Sequence, residues 1–175
     1  ALRRLGRVDE SLKCASEALA VDPLCFAAMN EMRLISPMAG AGRTPDECLA
    51  SLTRHMRAEP YNYIETAARY SACGLFGDAA DVMTLAAQSG DKALNAHPMV
   101  YYHLALYLER AGNPDGARKA LDRATSLSTD LCFPYGDESI GALRFATAQR
   151  PGDGTAWYLL GNALANSQHE EAVNC

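Results

Sequence analysis

The sequence lacks what most specialised functions require. No window approaches the run of about 18 apolar residues that marks a membrane-spanning helix, and the N-terminus has no charged, apolar and small-residue succession of a secretory signal. Because the chain begins at Ala1, within what reads as a repeat, that observation concerns only the residues present. No cluster of Lys and Arg occurs, and the net charge is −5. Phosphate binding depends on concentrated positive charge, so nucleic acid and an anionic membrane surface are both disfavoured as partners. Aromatic residues make up only 7%. Sustained alternation of apolar and polar residues is missing too, which argues against strands.

Chemistry is equally sparse. The six cysteines, Cys14, Cys25, Cys48, Cys73, Cys132 and Cys175, stand singly with no C-x-x-C. They have no metal-like spacing with the four histidines either. Cys14, Cys48 and Cys73 fall in expected helices, and the set reads as buried reduced thiols, which favours a cytoplasmic location. His97 and His103 are six residues apart and do not share a helical face, so no metal pair is expected. No nucleophile elbow, zinc-protease motif, P-loop or dinucleotide fingerprint is present. The expectation is a protein that is not an enzyme, with no catalytic residues, no metal and no cofactor.

What the sequence does contain is 175 residues of ordinary globular composition, 49% hydrophobic and 21% charged, rich in strong helix formers. It also repeats itself. The clearest copy runs Tyr101, Leu104, Ala105 and Leu108, a turn at Gly112, then Ala117, Leu121 and Ala124. A second copy reads Tyr63, Thr66, Ala67, Tyr70, Gly74, Ala79, Met83 and Ala86 in the same register. A looser one has Met29, Met32 and Arg33, then Cys48, Leu52, His55 and the closing Pro60. In that pair Pro37 is expected to end the first helix near Ser36, with Gly40 and Gly42 keeping the loop open. Thr44-Pro45-Asp46-Glu47 then restarts a helix, with Thr44 as cap and Glu47 completing a capping box. Second helices closed by proline are also read at Ser11, Ala15, Ala18 with Pro23, and at Ser139, Leu143, Ala146 with Pro151. A last copy opens with Trp157, Leu160, Gly161 and Leu164, and Asp153 or Thr155 is placed to cap it.

Large residues at these spacings fill gaps between helices and small ones let helices approach, which is the pattern of the tetratricopeptide repeat. The chain resembles that superfamily along nearly its whole length. The resemblance implies an all-α fold, a right-handed α-α superhelix of antiparallel helix pairs, with one irregular unit near 128–150. It reads as a single array: a half repeat over 1–23, full repeats over 24–60, 61–91 and 97–127, an irregular unit over 128–151 and an incomplete repeat over 152–175. Pro98 to Tyr102, Asp130 to Pro134 and Ala156 to Asn162 also resemble the helical tail of bacterial proteins that carry a carbohydrate-enzyme-like β-sandwich of unknown function.

The irregular unit is where a first helix should stand and cannot. Pro134 and Gly136 break the stretch from Ser128 to Gly136. Leu131, Cys132, Phe133 and Tyr135 are too apolar for a solvated loop, so an extended segment packed across neighbouring helices is expected. A second insertion, Gln88 to His97, lengthens the preceding connection.

In tetratricopeptide repeats the first helices line a concave face, so the resemblance implies partner-binding positions at Asn30, Leu34, Tyr61, Ile64, Tyr102, Leu106, Glu109, Tyr158 and Asn162. Tyrosine offers a rigid apolar body with a polar tip, and asparagine can bond a peptide backbone. The Lys and Arg residues with which related co-chaperones clamp a terminal carboxylate are missing from the matching positions. The expected function is a scaffold binding a protein or peptide. The alternative is a helical arm packed against another domain of the same polypeptide, such as a carbohydrate-active one.

Overall fold

Helix is what this composition encodes, and helix is what forms. The computed structural model describes residues 1–39, 42–165 and 168–175, and its regular structure among them is eleven α-helices and one 3-10 helix, with no strand. The all-α class therefore holds. Two compact units divide the chain, residues 1–62 and 63–175.

The first unit comprises the 3-10 helix Leu2–Leu5, α1 (Val8–Val21), α2 (Phe26–Ala39) and α3 (Pro45–Met56), with α1 packed on α2 and α2 on α3. Ala15, Ala28, Ile35, Leu52 and Met56 are buried in it. Gly6 ends the 3-10 helix at φ 74°, a conformation that glycine adopts without strain. The Arg3 guanidinium lies 3.2 Å from the Glu31 carboxylate. The capping box at α3 forms as read: the Glu47 amide donates to Thr44 Oγ1 at 3.2 Å and the Thr44 amide to Glu47 Oε2 at 2.8 Å.

One boundary differs from expectation. Helix α2 runs through Pro37 to Ala39 rather than ending near Ser36. A proline inside a helix strands the carbonyl four residues earlier, here that of Arg33. The Ser36 hydroxyl donates to this carbonyl at 3.0 Å, so the acceptor is satisfied and the last turn survives. Gly40 lies outside the described residues.

Helix α4 (Pro60–Ala72) leads into the second unit, which continues with α5 (Phe76–Ala87), α6 (Lys92–Asn95), α7 (Pro98–Arg110), α8 (Pro114–Thr125), α9 (Gly136–Gln149), α10 (Gly154–Leu164) and α11 (His169–Asn174). Helix α7 is its centre, packed against α5, α8 and α9, while α9 packs on α10 and α10 on α11. The hairpin α7–α8 follows the repeat rules closely. Gly112 turns the chain at φ 82°, Asn113 caps α8 through the Gly116 amide at 2.9 Å, and Pro114 opens the helix. Leu104, Ala105, Ala117, Leu121 and Ala124 are all buried, as their repeat positions require, and so are Tyr63, Ala67, Ala79, Met83 and Ala86 of the preceding copy.

The Gln88 to His97 insertion is ordered by its own bonds. Asp91 caps the single turn of α6, Leu94 is buried, and the Tyr101 hydroxyl donates to the Asn95 carbonyl at 2.9 Å. All six cysteines are free thiols. The expectation that they are buried holds for Cys48 and Cys132 only. Cys14 and Cys73 are exposed, because Cys14 sits on the outer side of α1 and Cys73 lies just beyond the end of α4.

Candidate functional site

The missing helix is replaced by a turn and a short extended run. The Cys132 amide donates to the Thr129 carbonyl at 3.0 Å, and Leu131 takes φ 56° in that turn. From Cys132 the chain extends to Tyr135, which has φ −142° and ψ 163° before α9 begins. Successive side chains of an extended run point to opposite sides. Cys132 and Pro134 are accordingly buried, while Phe133 and Tyr135 face outward. The expectation that Leu131, Phe133 and Tyr135 would be packed away is therefore corrected: they are 87%, 71% and 54% exposed. Only one side of such a run can meet the helix beneath it.

That inner side covers α7. Cys132 lies against the Met99 backbone and near Tyr102, and burial pushes its thiol up to about 11, which makes it inert at neutral pH. Tyr102 is fully buried and its hydroxyl donates to Asp153 Oδ2 at 3.0 Å. The Thr125 hydroxyl donates to the same oxygen at 2.9 Å, and the other carboxylate oxygen accepts the Ala156 amide at 3.0 Å, capping α10. Asp153, 3% exposed, thus ties α7, α8 and α10 together. Burial, followed by the facing Asp153 charge, drives the Tyr102 hydroxyl well above the ordinary tyrosine range.

Further along α7 the core stays closed. The Tyr107 hydroxyl stands 3.4 Å from His103 Nδ1. Burial pushes the Tyr107 hydroxyl up to about 12, with the Glu138 charge adding to it. His103 is wholly buried and its Nε2 meets no protein partner, so burial, with His97 adding repulsion, pushes its pKa down to about 3. It is a neutral core imidazole at physiological pH.

The expected binding positions separate accordingly. Tyr102 and Leu106 do not face outward, because the extended segment and α9 cover that side of α7. Ile64 is buried as well. Asn30 is fully buried in the first unit, where its Oδ1 accepts from Arg33 Nε at 2.9 Å. Leu34 and Tyr61 are half-buried, and Glu109 is exposed. Tyr158 and Asn162 are exposed, and they come together in a groove of about 650 Å³ between α10 and α11, also lined by Trp157, His169, Ala172 and Val173. Trp157 is held there by its indole N–H, which donates to the Pro151 carbonyl at 2.9 Å. Gly161 lets α11 approach: a Cβ at that position would stand 3.3 Å from Cys175 Cβ. Among the described residues no Lys or Arg lines the groove.

Two features escaped the sequence. Asp153 reads as a simple cap, and nothing local shows that its second oxygen is spoken for. The closure of α7 does leave a signal: from Met99 to Leu108 only His103 interrupts aromatic and aliphatic residues, and a helix apolar all round is a buried one. Among the described residues no group of His, Cys, Asp and Glu converges as a metal site, and no helix is long and apolar enough to cross a membrane.

Comparison with known proteins agrees with the repeat reading in the second unit. One tetratricopeptide repeat family model matches residues 100–130 and another matches residues 136–173. The stretch between them, 131–135, holds the last turn residue and the extended run. No curated protein matches the chain. A solved structure, the crystal structure of MamA, is similar over 97% of this chain and 94% of that one, at 15% identity and a TM-score of 0.40.

Proposed function

We propose that this chain, whose second unit carries tetratricopeptide repeats, is a non-catalytic scaffold that holds a peptide or a segment of a partner protein. The observation that carries this reading is the groove between α10 and α11, where Tyr158 and Asn162 stand exposed side by side. Tyr158 and Trp157 supply rigid aromatic surface, and the Asn162 amide can bond a peptide backbone. With no cation lining it, the groove recognises shape and backbone rather than a terminal carboxylate. Glu109, exposed on α7, does not line this groove. Nucleic acid and membrane are not the partners, since the net charge of −5 opposes both. The six free thiols favour a reducing, cytoplasmic setting.

A second reading, an arm braced against another domain of the same polypeptide, has its own support. The three stretches that resemble the helical tails of β-sandwich proteins are linked: Cys132 lies against Met99 and near Tyr102, and Asp153, which accepts from the Tyr102 hydroxyl, also accepts from the Ala156 amide. A pull-down from source-cell lysate separates the two. The scaffold reading expects partners retained by the wild type and lost by a Tyr158→Ala, Asn162→Ala double variant that keeps its circular dichroism. Retention of nothing by either folded protein would favour the arm.

A further inference from the structure

The outward stripe of the extended run plays no part in the α10–α11 groove. We propose that Leu131, Phe133 and Tyr135 form a second docking surface, and that it takes an apolar protein segment flanked by Lys or Arg. Three large apolar side chains within five residues, all more than half exposed, make a patch of the kind that marks interaction sites on soluble proteins. The patch is held in place from behind. Cys132 and Pro134 anchor the inner side, the Thr129–Cys132 hydrogen bond fixes the turn, and the Tyr135 hydroxyl donates to Glu65 Oε1 on α4 at 3.4 Å. A preordered aromatic surface loses little conformational entropy on binding.

Charge selects the occupant. Asp130 on one side of the stripe and Asp137 and Glu138 on the other are exposed, Glu65 borders Tyr135, and no Lys or Arg occurs between Arg123 and Arg144. An apolar surface with an acidic rim pairs with a partner whose apolar residues are bracketed by cations. The same rim repels nucleic acid, anionic lipid and, given the net charge of −5, a second copy of this chain.

The test is selection of a random-peptide display library on the full chain, followed by fluorescence anisotropy with the enriched peptides. Expected are peptides combining Leu, Ile, Phe or Trp with net positive charge. Their affinity should fall at least about tenfold in a Leu131→Ser, Phe133→Ser double variant of unchanged melting temperature, and should weaken with added salt. Neutralising the rim by Asp137→Asn and Glu138→Gln should reduce affinity with a shallower salt dependence, while Tyr158→Ala should leave it unchanged. Enriched peptides without positive charge, or full retention by the double variant, would overturn the inference. Loss of binding in Tyr158→Ala alone would also overturn it and leave the α10–α11 scaffold standing. Sedimentation showing a dimer that the double variant abolishes would assign the stripe to self-association instead.

Discussion

The hairpin α7–α8 and the irregular stretch that follows it are neighbours in sequence and opposites in construction. In the hairpin, burial follows from repeat spacing: Ala105 and Ala117 are closed because small residues there let helices approach, and the Gly112 turn and Asn113 cap are local. Over 128–135 nothing is repeated, and what matters is which of two alternating sides meets α7. The consequence reaches back into the hairpin itself. Tyr102 and Leu106, which in a regular array would face a partner, are covered by their own chain. A missing helix thus moves the available surface from α7 to α10 and to the outward stripe.

The contrast can be broken most forcefully at Asp153. Its replacement by Ala strands the buried Tyr102 hydroxyl, frees Thr125 and removes the α10 cap, and should cost about 3–5 kcal/mol in chemical denaturation. A loss under 1 kcal/mol would mean that the junction of the regular and irregular parts is held by something else.

Acid should act next most strongly, through His103. Its folded pKa of about 3 lies below the unfolded value near 6.5, so the unfolded chain binds the proton more readily. Its contribution is complete above pH 6.5 and is lost as pH falls toward 3, at about 1.4 kcal/mol per unit. Near pH 4.5 the wild type should have lost about 2–3 kcal/mol more than His103→Gln, measured as the difference between their denaturation curves across pH. Parallel curves would remove His103 as the cause.

Within the regular hairpin, Ala105→Leu should overpack the contact between helices and cost about 1–3 kcal/mol. An unchanged melting temperature would show the repeat register to be misplaced. The smallest effect should come from α10: Tyr158→Ala should shift stability by no more than about 0.5 kcal/mol, because its side chain is exposed. A larger loss would make Tyr158 a packing residue rather than part of a binding face.

Much of the fold was legible because repeats encode it locally. Pro45 at a helix start, Thr44 and Asp153 as caps, and the small residues facing each other across α7 and α8 all act through neighbours a few positions away. The extension of α2 through Pro37 was not legible, since it depends on the Ser36 hydroxyl turning inward to the Arg33 carbonyl. The site was half legible. Tyr158 and Asn162 are exposed, as outward positions of a first helix should be, whereas the burial of Tyr102 depends on Cys132 and Asp153, which lie 30 and 51 residues further along the chain. Long-range contacts made by a non-repeating segment leave no periodic trace, although the apolar run of α7, interrupted only by His103 from Met99 to Leu108, pointed to a helix closed on all sides over that stretch.

The closure of α7 by its own chain is tested most directly by the reactivity of individual tyrosines in the folded chain, mapped by mass spectrometry after brief acetylation with N-acetylimidazole. Rapid modification of Tyr158 and protection of Tyr63, Tyr102 and Tyr107 are expected, with Tyr102 becoming reactive in Asp153→Ala. Modification of wild-type Tyr102 as fast as Tyr158 would contradict it, and would return α7 to the partner-facing side.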